Sequence, residues 1–298
     1  MVDYLVRSAE AASDSIDRRQ PIIIDTDLFS DVDDVGALAI ANVLHNCGLA
    51  DLRGIVLSTP SHYGSLAASA LCTYYGNDVP TAAFRPITND TFFDSFYYLY
   101  GEYASKLAYH WPRTVESAVQ TPTPVELYRT ILSSASNKSI HFISIRLVTN
   151  LADLLKSGEQ LVTSKVSELV IMGGGGGQYP SGWEYNFGAD PENTAYLVHH
   201  WPKSVNVTYS GYELGEGVLS GRELVQRLPP DSPVLSASQW YVGRGSTARS
   251  SWDPITTLYG ILGLDWLSKL GVGPMLEYAN GFGYMKHMNT TIPMLQQH

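Results

Sequence analysis

The sequence predicts an α/β domain with a mostly parallel central sheet and helices packed on its faces. Three observations lead there. Short runs rich in Ile and Val recur between helix-length segments at the spacing of βα units. Several of these runs are apolar at every position, as strands covered on both faces are. The 298 residues are 44% hydrophobic, enough for one large core, and no linker or internal repeat divides them. Residues 1–20 are polar and mixed and read as a lead-in, leaving 21–298 as a single domain.

Along the chain, Ile22–Thr26 is a strand of the buried type, followed by an apolar helix of small residues at Val35–Leu44. Gly54–Ser58 is the next strand and Leu66–Tyr75 the next helix. Val79–Ala83 reads as a short strand, and Ile140–Ile145 as another that feeds a helix from about Leu151. Glu168–Met172 is a strand that ends in five glycines. Asp190–His199 follows as a helix, with Asp190 and Pro191 in the positions of an N-cap and first helical residue. Val205–Ser210 closes the strand series, and the last third is mainly helical in pattern. Residues 84–125 are less regular, and the aromatic stretch from Phe92 to Tyr103 suits core or oligomer packing better than ligand stacking.

A formal net charge of -10 argues against a nucleic-acid backbone or an anionic membrane as the main partner. Cys47 and Cys72 form no CxxC pair, so zinc is not indicated, and both read as small buried hydrophobes. No run approaches the length of a membrane span. The first residues lack the apolar core of a secretory signal, which points to the cytoplasm unless a leader is missing from the chain. Sequons at Asn89, Asn137, Asn206 and Asn289 lean weakly towards secretion.

The chemistry concentrates after the first strand. Asp25, Asp27, Asp31, Asp33 and Asp34 place five carboxylates within ten positions. Like charges this dense repel unless a cation lies among them or water reaches them. Asp33 or Asp34 alone would serve as a helix cap; five together after an apolar strand indicate a divalent ion. The glycine run at 173–177 lacks the grammar of a phosphate loop and suits a tightly turned active-site loop. Glu184 and Asn186, two apart in an extended segment, would face one way and could grip sugar hydroxyls. A carbonyl at Thr149, in L-V-T-N at the end of a strand, could ligate a hard cation. Asp253 before Pro254 reads by itself as an N-cap.

In this order, D-T-D with D-D (Asp25, Asp27, Asp33, Asp34), L-V-T-N (147–150), V-I-M-G-G-G (170–175), E-Y-N with D-P-E (184–192) and Asp253-Pro254 resemble the nucleoside hydrolases, the calcium-dependent N-ribohydrolases. The resemblance runs from about Pro21 to Leu262. It implies a Rossmann-like α/β domain that cleaves the N-glycosidic bond of purine or pyrimidine ribonucleosides. It further implies that Asp27, Asp34, the Thr149 carbonyl and Asp253 hold Ca²⁺ and the attacking water. Asp33 would be the base. Glu184, Asn186 and Gln178 would hold the ribose, and Asp25 would orient the ligands. A homo-oligomer, dimer or tetramer, is also implied.

Two departures stand out. The turn after Asp27 is two residues longer than the family form and carries Asp31, a second candidate for the base. Trp252 occupies the place of a histidine tied to leaving-group activation in well-studied members; it can stack on a base but cannot give up a proton at neutral pH. Two other readings stay open: a Ca²⁺-dependent ribosyl-binding protein without turnover, and a haloacid dehalogenase-type phosphatase, which also begins with D-x-D.

Overall fold

Ile22, Ile23 and Ile24 have no exposed surface, so the first strand lies inside the sheet with both faces covered. The computed structural model describes residues 19–91, 101–174 and 184–269. The strands are β1 (Gln20–Thr26), β2 (Ala50–Leu57), β3 (Thr81–Ala82), β4 (Ile140–Ser144), β5 (Val166–Met172) and β6 (Asn206–Ser210). They form one six-stranded sheet in the order β3-β2-β1-β4-β5-β6. Every pairing in it is parallel. The chain builds outward from β1 to β3, then returns to the other side of β1 as β4. The carboxyl ends of β1 and β4 therefore flank the topological switch point, where open α/β sheets bind ligands.

Alternation along β1 divides the core. Ile22 and Ile24 face one layer with Leu38, Ala41, Leu71 and Leu258. Ile23 faces the other with Tyr128, Phe142, Leu151 and Leu197. The first layer is built by α1 (Asp33–Asn46), α2 (His62–Tyr74) and, near the C-terminus, the helical run Trp252–Lys269. A side chain built on Gly36 would come within 3.4 Å of Pro254, which shows how closely α1 lies to that run. The short helix α3 (Ala104–His110) adds Ala104 and Leu107 to the same layer.

The second layer holds α4 (Pro124–Ser134), α5 (Thr149–Ser157), α6 (Glu159–Lys165) and, after α7 (Tyr185–Ala189), α8 (Pro191–His200). Local chemistry sets several starts. Thr123 and Glu126 form a reciprocal capping box at α4. The Asp190 carboxylate accepts from Asn193 N at α8, the cap its sequence position implied. The last part is helical as expected: α9 (Tyr212–Glu216), α10 (Leu224–Arg227), α11 (Pro233–Tyr241) and α12 (Trp252–Lys269), which is broken at Gly263. A two-residue antiparallel pair, β7 (Leu219–Ser220) and β8 (Arg249–Ser250), interrupts it.

The observed strands and helices fall within a few residues of those read from the pattern, the usual scatter of element ends. Residues 1–18, most of the aromatic stretch (92–100), the distal glycines with Gln178, and the chain beyond 269 lie outside the described residues. Among the described residues, no helix is long and apolar enough to cross a membrane. Cys72 is buried and its thiol pushed up to about 12 by that burial, whereas Cys47 is only half-buried.

Phe142 on β4 is fully buried and meets Tyr128 edge-on at 5.1 Å. Phe142→Ala is expected to cost about 3–5 kcal/mol, measured by urea unfolding.

Candidate active site

The end of β1 turns sharply to enter α1. Leu28 holds a φ of 39°, in the left-handed region that a branched residue rarely adopts. That turn is held by polar contacts: Leu28 N donates to Thr26 Oγ1 at 3.1 Å and to Asp34 Oδ1 at 3.3 Å. The Thr26 hydroxyl also donates to Asp34 Oδ1. Val32, not Asp33 or Asp34, is the N-cap residue of α1, with no side-chain cap bond. The two aspartates thus sit in the first turn, where the helix N-terminus favours negative charge.

There they meet the start of α12. Asp33, Asp34 and Asp253 are buried and can each offer an oxygen within 4.8 Å of the others. Asp253 N donates to Asp33 Oδ2 at 3.1 Å, so the two segments are bonded directly. Asp253 lies one residue inside the helical run, not at its cap. Burial pushes all three carboxyls well above the usual range, and neighbouring aspartates add to it: Asp31 at Asp33, Asp27 at Asp34, and Asp33 at Asp253. Anionic groups that cannot ionise together without a counter-charge form a fitting seat for a divalent cation.

Asp27 stands at the edge of this group with no exposed surface. Its Oδ2 accepts from Ser30 Oγ at 2.8 Å and lies 3.0 Å from Arg146 Nε. Its Oδ1 is buried without a hydrogen-bond partner among the described residues. Asp25, two residues earlier, is held by Tyr128 of the second layer. It accepts from the Tyr128 hydroxyl and, at 3.3 Å, from Asn150 Nδ2. Burial raises its pKa to about 8 against those hydrogen bonds. Asn150 Nδ2 also donates to Leu57 O at 3.0 Å, so β1, β2 and α5 are tied at one point.

Asp31, in the turn after Asp27, is taken up by an arginine. Arg249 Nε lies 2.9 Å from Asp31 Oδ1 and 3.1 Å from Oδ2, and its Nη2 donates to Oδ2 as well. Val32 N donates to Asp31 Oδ1 at 2.7 Å, and the Tyr103 hydroxyl donates to the Asp31 carbonyl. Arg249 precedes Asp253 by four residues, so this fork draws the start of α12 onto the acidic turn.

The remaining candidates lie in separate local settings. Glu184 does not share an extended segment with Asn186. It is the N-cap of α7, accepting from Asn186 N at 3.1 Å and Phe187 N at 2.7 Å, because a carboxylate there satisfies the open amides of a helix start. Burial raises the Glu184 pKa against those two amides. Asn186 is buried in α7 and donates to Met172 O at 3.1 Å. Thr149 opens α5 beside Asn150, and its hydroxyl donates to Asp190. Trp252 donates from Nε1 to Tyr212 O at 2.9 Å and stacks on the Tyr212 ring at 5.3 Å.

Arg146, Arg249 and Tyr128 were not singled out from sequence, and Asn150 entered only as the last residue of L-V-T-N, with no role of its own. Arg146 left a trace as a charge directly after the apolar strand Ile140–Ile145. Arg249 and Tyr128 act across separations that no local pattern reveals.

A parallel sheet with a buried carboxylate cluster at its switch point is an arrangement in which open α/β proteins bind ligands. The family model for inosine-uridine preferring nucleoside hydrolases matches residues 22–259, and the chain belongs to that family. No curated protein sequence matches it. Among solved structures, it resembles a plant nucleoside hydrolase at 18% identity and a TM-score of 0.61, over 82% of this chain and 79% of that one. It resembles the Bacillus anthracis inosine-uridine preferring nucleoside hydrolase at 17% identity and 0.60, over 81% of each chain. It also resembles the type III effector XopQ, solved with adenosine diphosphate ribose, at 15% and 0.60, over 88% of this chain and 86% of that one. The D-x-D phosphatase alternative is set aside by the family match.

Arg249→Ala is expected to destabilise the fold by about 2–4 kcal/mol by stranding Asp31. Arg249→Lys recovers only part, since an ammonium cannot fork. Equal unfolding midpoints for the wild type and Arg249→Ala would remove the clamp.

Proposed function

We propose that the chain hydrolyses the N-glycosidic bond of ribonucleosides, releasing ribose and the free base. One observation carries the reading: Asp33 and Asp34 of α1 and Asp253 of α12, 219 residues apart at the closest, converge in a buried group beside the switch point. The family supports the reaction class. The assignment of individual roles is our own.

Asp34, Asp253, Asp27 through its open Oδ1, and the Thr149 carbonyl would hold Ca²⁺. Calcium accepts about six to eight oxygens, which leaves room for water and a sugar diol. When bound, the ion supplies positive charge that acidifies water and fixes the diol. Asp33 is the base. Asp253 N holds one of its oxygens in place, and a cation beside it would favour the ionised form that can take a proton. Asp31, the alternative, is committed to Arg249 and Val32 N. The remaining carboxylates favour the positive charge that develops on the sugar as the base departs.

Glu184 and Asn186 would receive ribose hydroxyls beside the β5 end, joined by Gln178. Asp25, held by Tyr128 and Asn150, fixes the strand end that presents Asp27. Trp252, with Tyr212 stacked on it, would face the departing base. Its indole N–H is already spent on a carbonyl, so leaving-group protonation falls to another donor or to solvent. Both purine and pyrimidine nucleosides belong in the first substrate panel. A homo-oligomer, dimer or tetramer, is proposed as well, and light scattering measures it.

A second reading, binding of a ribosyl compound without turnover, is favoured by Trp252 and by the similarity to an effector solved with adenosine diphosphate ribose. A reducing-sugar assay on the nucleoside panel, with and without chelator, separates the two. Hydrolysis is expected to need the ion, and Asp33→Asn to lower turnover about 10²- to 10⁴-fold with calcium affinity kept. Wild-type rates in Asp33→Asn would refute the base. Calorimetric binding with no ribose released would favour the second reading.

A further inference from the structure

Ser144, the last residue of β4, pairs in register with Asp25 of β1. Two residues further on, Arg146 and Asp27 face each other across the switch-point crevice, with Arg146 Nε 3.0 Å from Asp27 Oδ2 and side-chain exposures of 5% and 0%. The guanidinium does not reach this position by chance of rotamer. Its Nη2 donates to the Tyr185 hydroxyl at 2.8 Å, and its Cζ lies 4.2 Å from the centre of the Tyr185 ring. A buried, braced cation is thus fixed against an aspartate that adjoins the carboxylate group of Asp33, Asp34 and Asp253. The other oxygen of Asp27 is buried without a hydrogen-bond partner among the described residues.

A metal site and a buried arginine on one carboxylate compete by simple electrostatics. In a region shielded from water, a fixed positive charge next to a ligand lowers the gain from adding a second one. We propose that Arg146 is a built-in counter-cation of the carboxylate group: it shares Asp27 with the metal ion, keeps the ion-free protein folded, and holds ion affinity down. This rests on the metal reading above and deepens it. Arg146 is a positioning residue, acting on the ion through Asp27.

The two possible roles for Arg146 predict opposite signs. If it merely supports the site's shape, its loss weakens ion binding. If it competes, its loss tightens binding. The test is calcium titration by calorimetry of the full chain: wild type, Arg146→Gln, Asp27→Asn and the double variant. Arg146→Gln is expected to bind calcium at least about tenfold more tightly than wild type. That gain is expected to vanish when Asp27→Asn is added, since both act on one carboxylate. In the absence of calcium, Arg146→Gln is expected to lose unfolding midpoint in urea, and saturating calcium is expected to restore it.

If Arg146→Gln fails to fold without calcium, folding on calcium addition, seen by near-ultraviolet circular dichroism, supports the proposal. Arg146→Met, which keeps a stem against Tyr185, repeats the measurement. If neither neutral variant folds in excess calcium, the ion cannot replace the guanidinium and the proposal is overturned. Unchanged or weaker affinity in a folded Arg146→Gln overturns it too, while the metal reading survives on wild-type binding. If neither wild type nor any variant binds calcium, both are overturned.

Discussion

Mutual repulsion among buried carboxylates is the constraint around which this molecule is arranged. Asp27, Asp31, Asp33, Asp34 and Asp253 lie close together at the carboxyl edge of the sheet, each with little or no exposed surface. Burying that much negative charge is tolerable only if each group is protonated, hydrogen-bonded or paired. The structure uses all three means. Asp31 takes a forked arginine, Asp27 takes a second arginine, Asp34 accepts from a threonine, and Asp33 accepts a backbone amide. Burial raises the carboxyls of Asp33, Asp34 and Asp253 towards their neutral forms.

The sheet topology explains why these groups meet. With β1 between β2 and β4, the chain leaves the sheet in opposite directions at the switch point, and a crevice opens between the two exits. β1 brings Asp25 and Asp27 to it, and β4 brings Arg146. The start of α12 completes the group from a distant part of the chain, drawn in by the Arg249 fork and by the close approach of Gly36 to Pro254. The contacts that hold α12 to α1 also set the spacing of the aspartates. A cation entering there would act on the same balance of charge as the two arginines.

Membership of a nucleoside hydrolase family fits this arrangement, yet the low identity to solved members leaves room for local change. Two features of this chain's site stand out. The turn after Asp27 places Asp31 where it serves as an anchor for Arg249, a structural tie to the acidic end. Trp252 is buttressed by Tyr212 through a stack and a carbonyl hydrogen bond. The stack and the hydrogen bond fix the indole in place with its N–H occupied.

The sequence alone determined the sheet, its flanking helices and the acidic focus of the site. Those signals are local: β-branched runs such as Ile22–Ile24, helix-length apolar segments, an Asp-Pro cap at 190–191, and aspartates crowded after one strand. Family resemblance ordered the distant segments without showing how they touch. Tertiary structure alone decided which charges pair. It committed Asp31 to Arg249 and Asp27 to Arg146, turned Asp25 towards Tyr128 and Asn150, and made Glu184 a helix cap, where the residue pattern had suggested an extended grip with Asn186. The reason is physical. Strand and helix signals repeat within a few residues, whereas the energy of a buried charge depends on whatever lies within a few ångströms, and for Asp25, Asp27 and Asp31 the pairing side chains come from positions more than a hundred residues away.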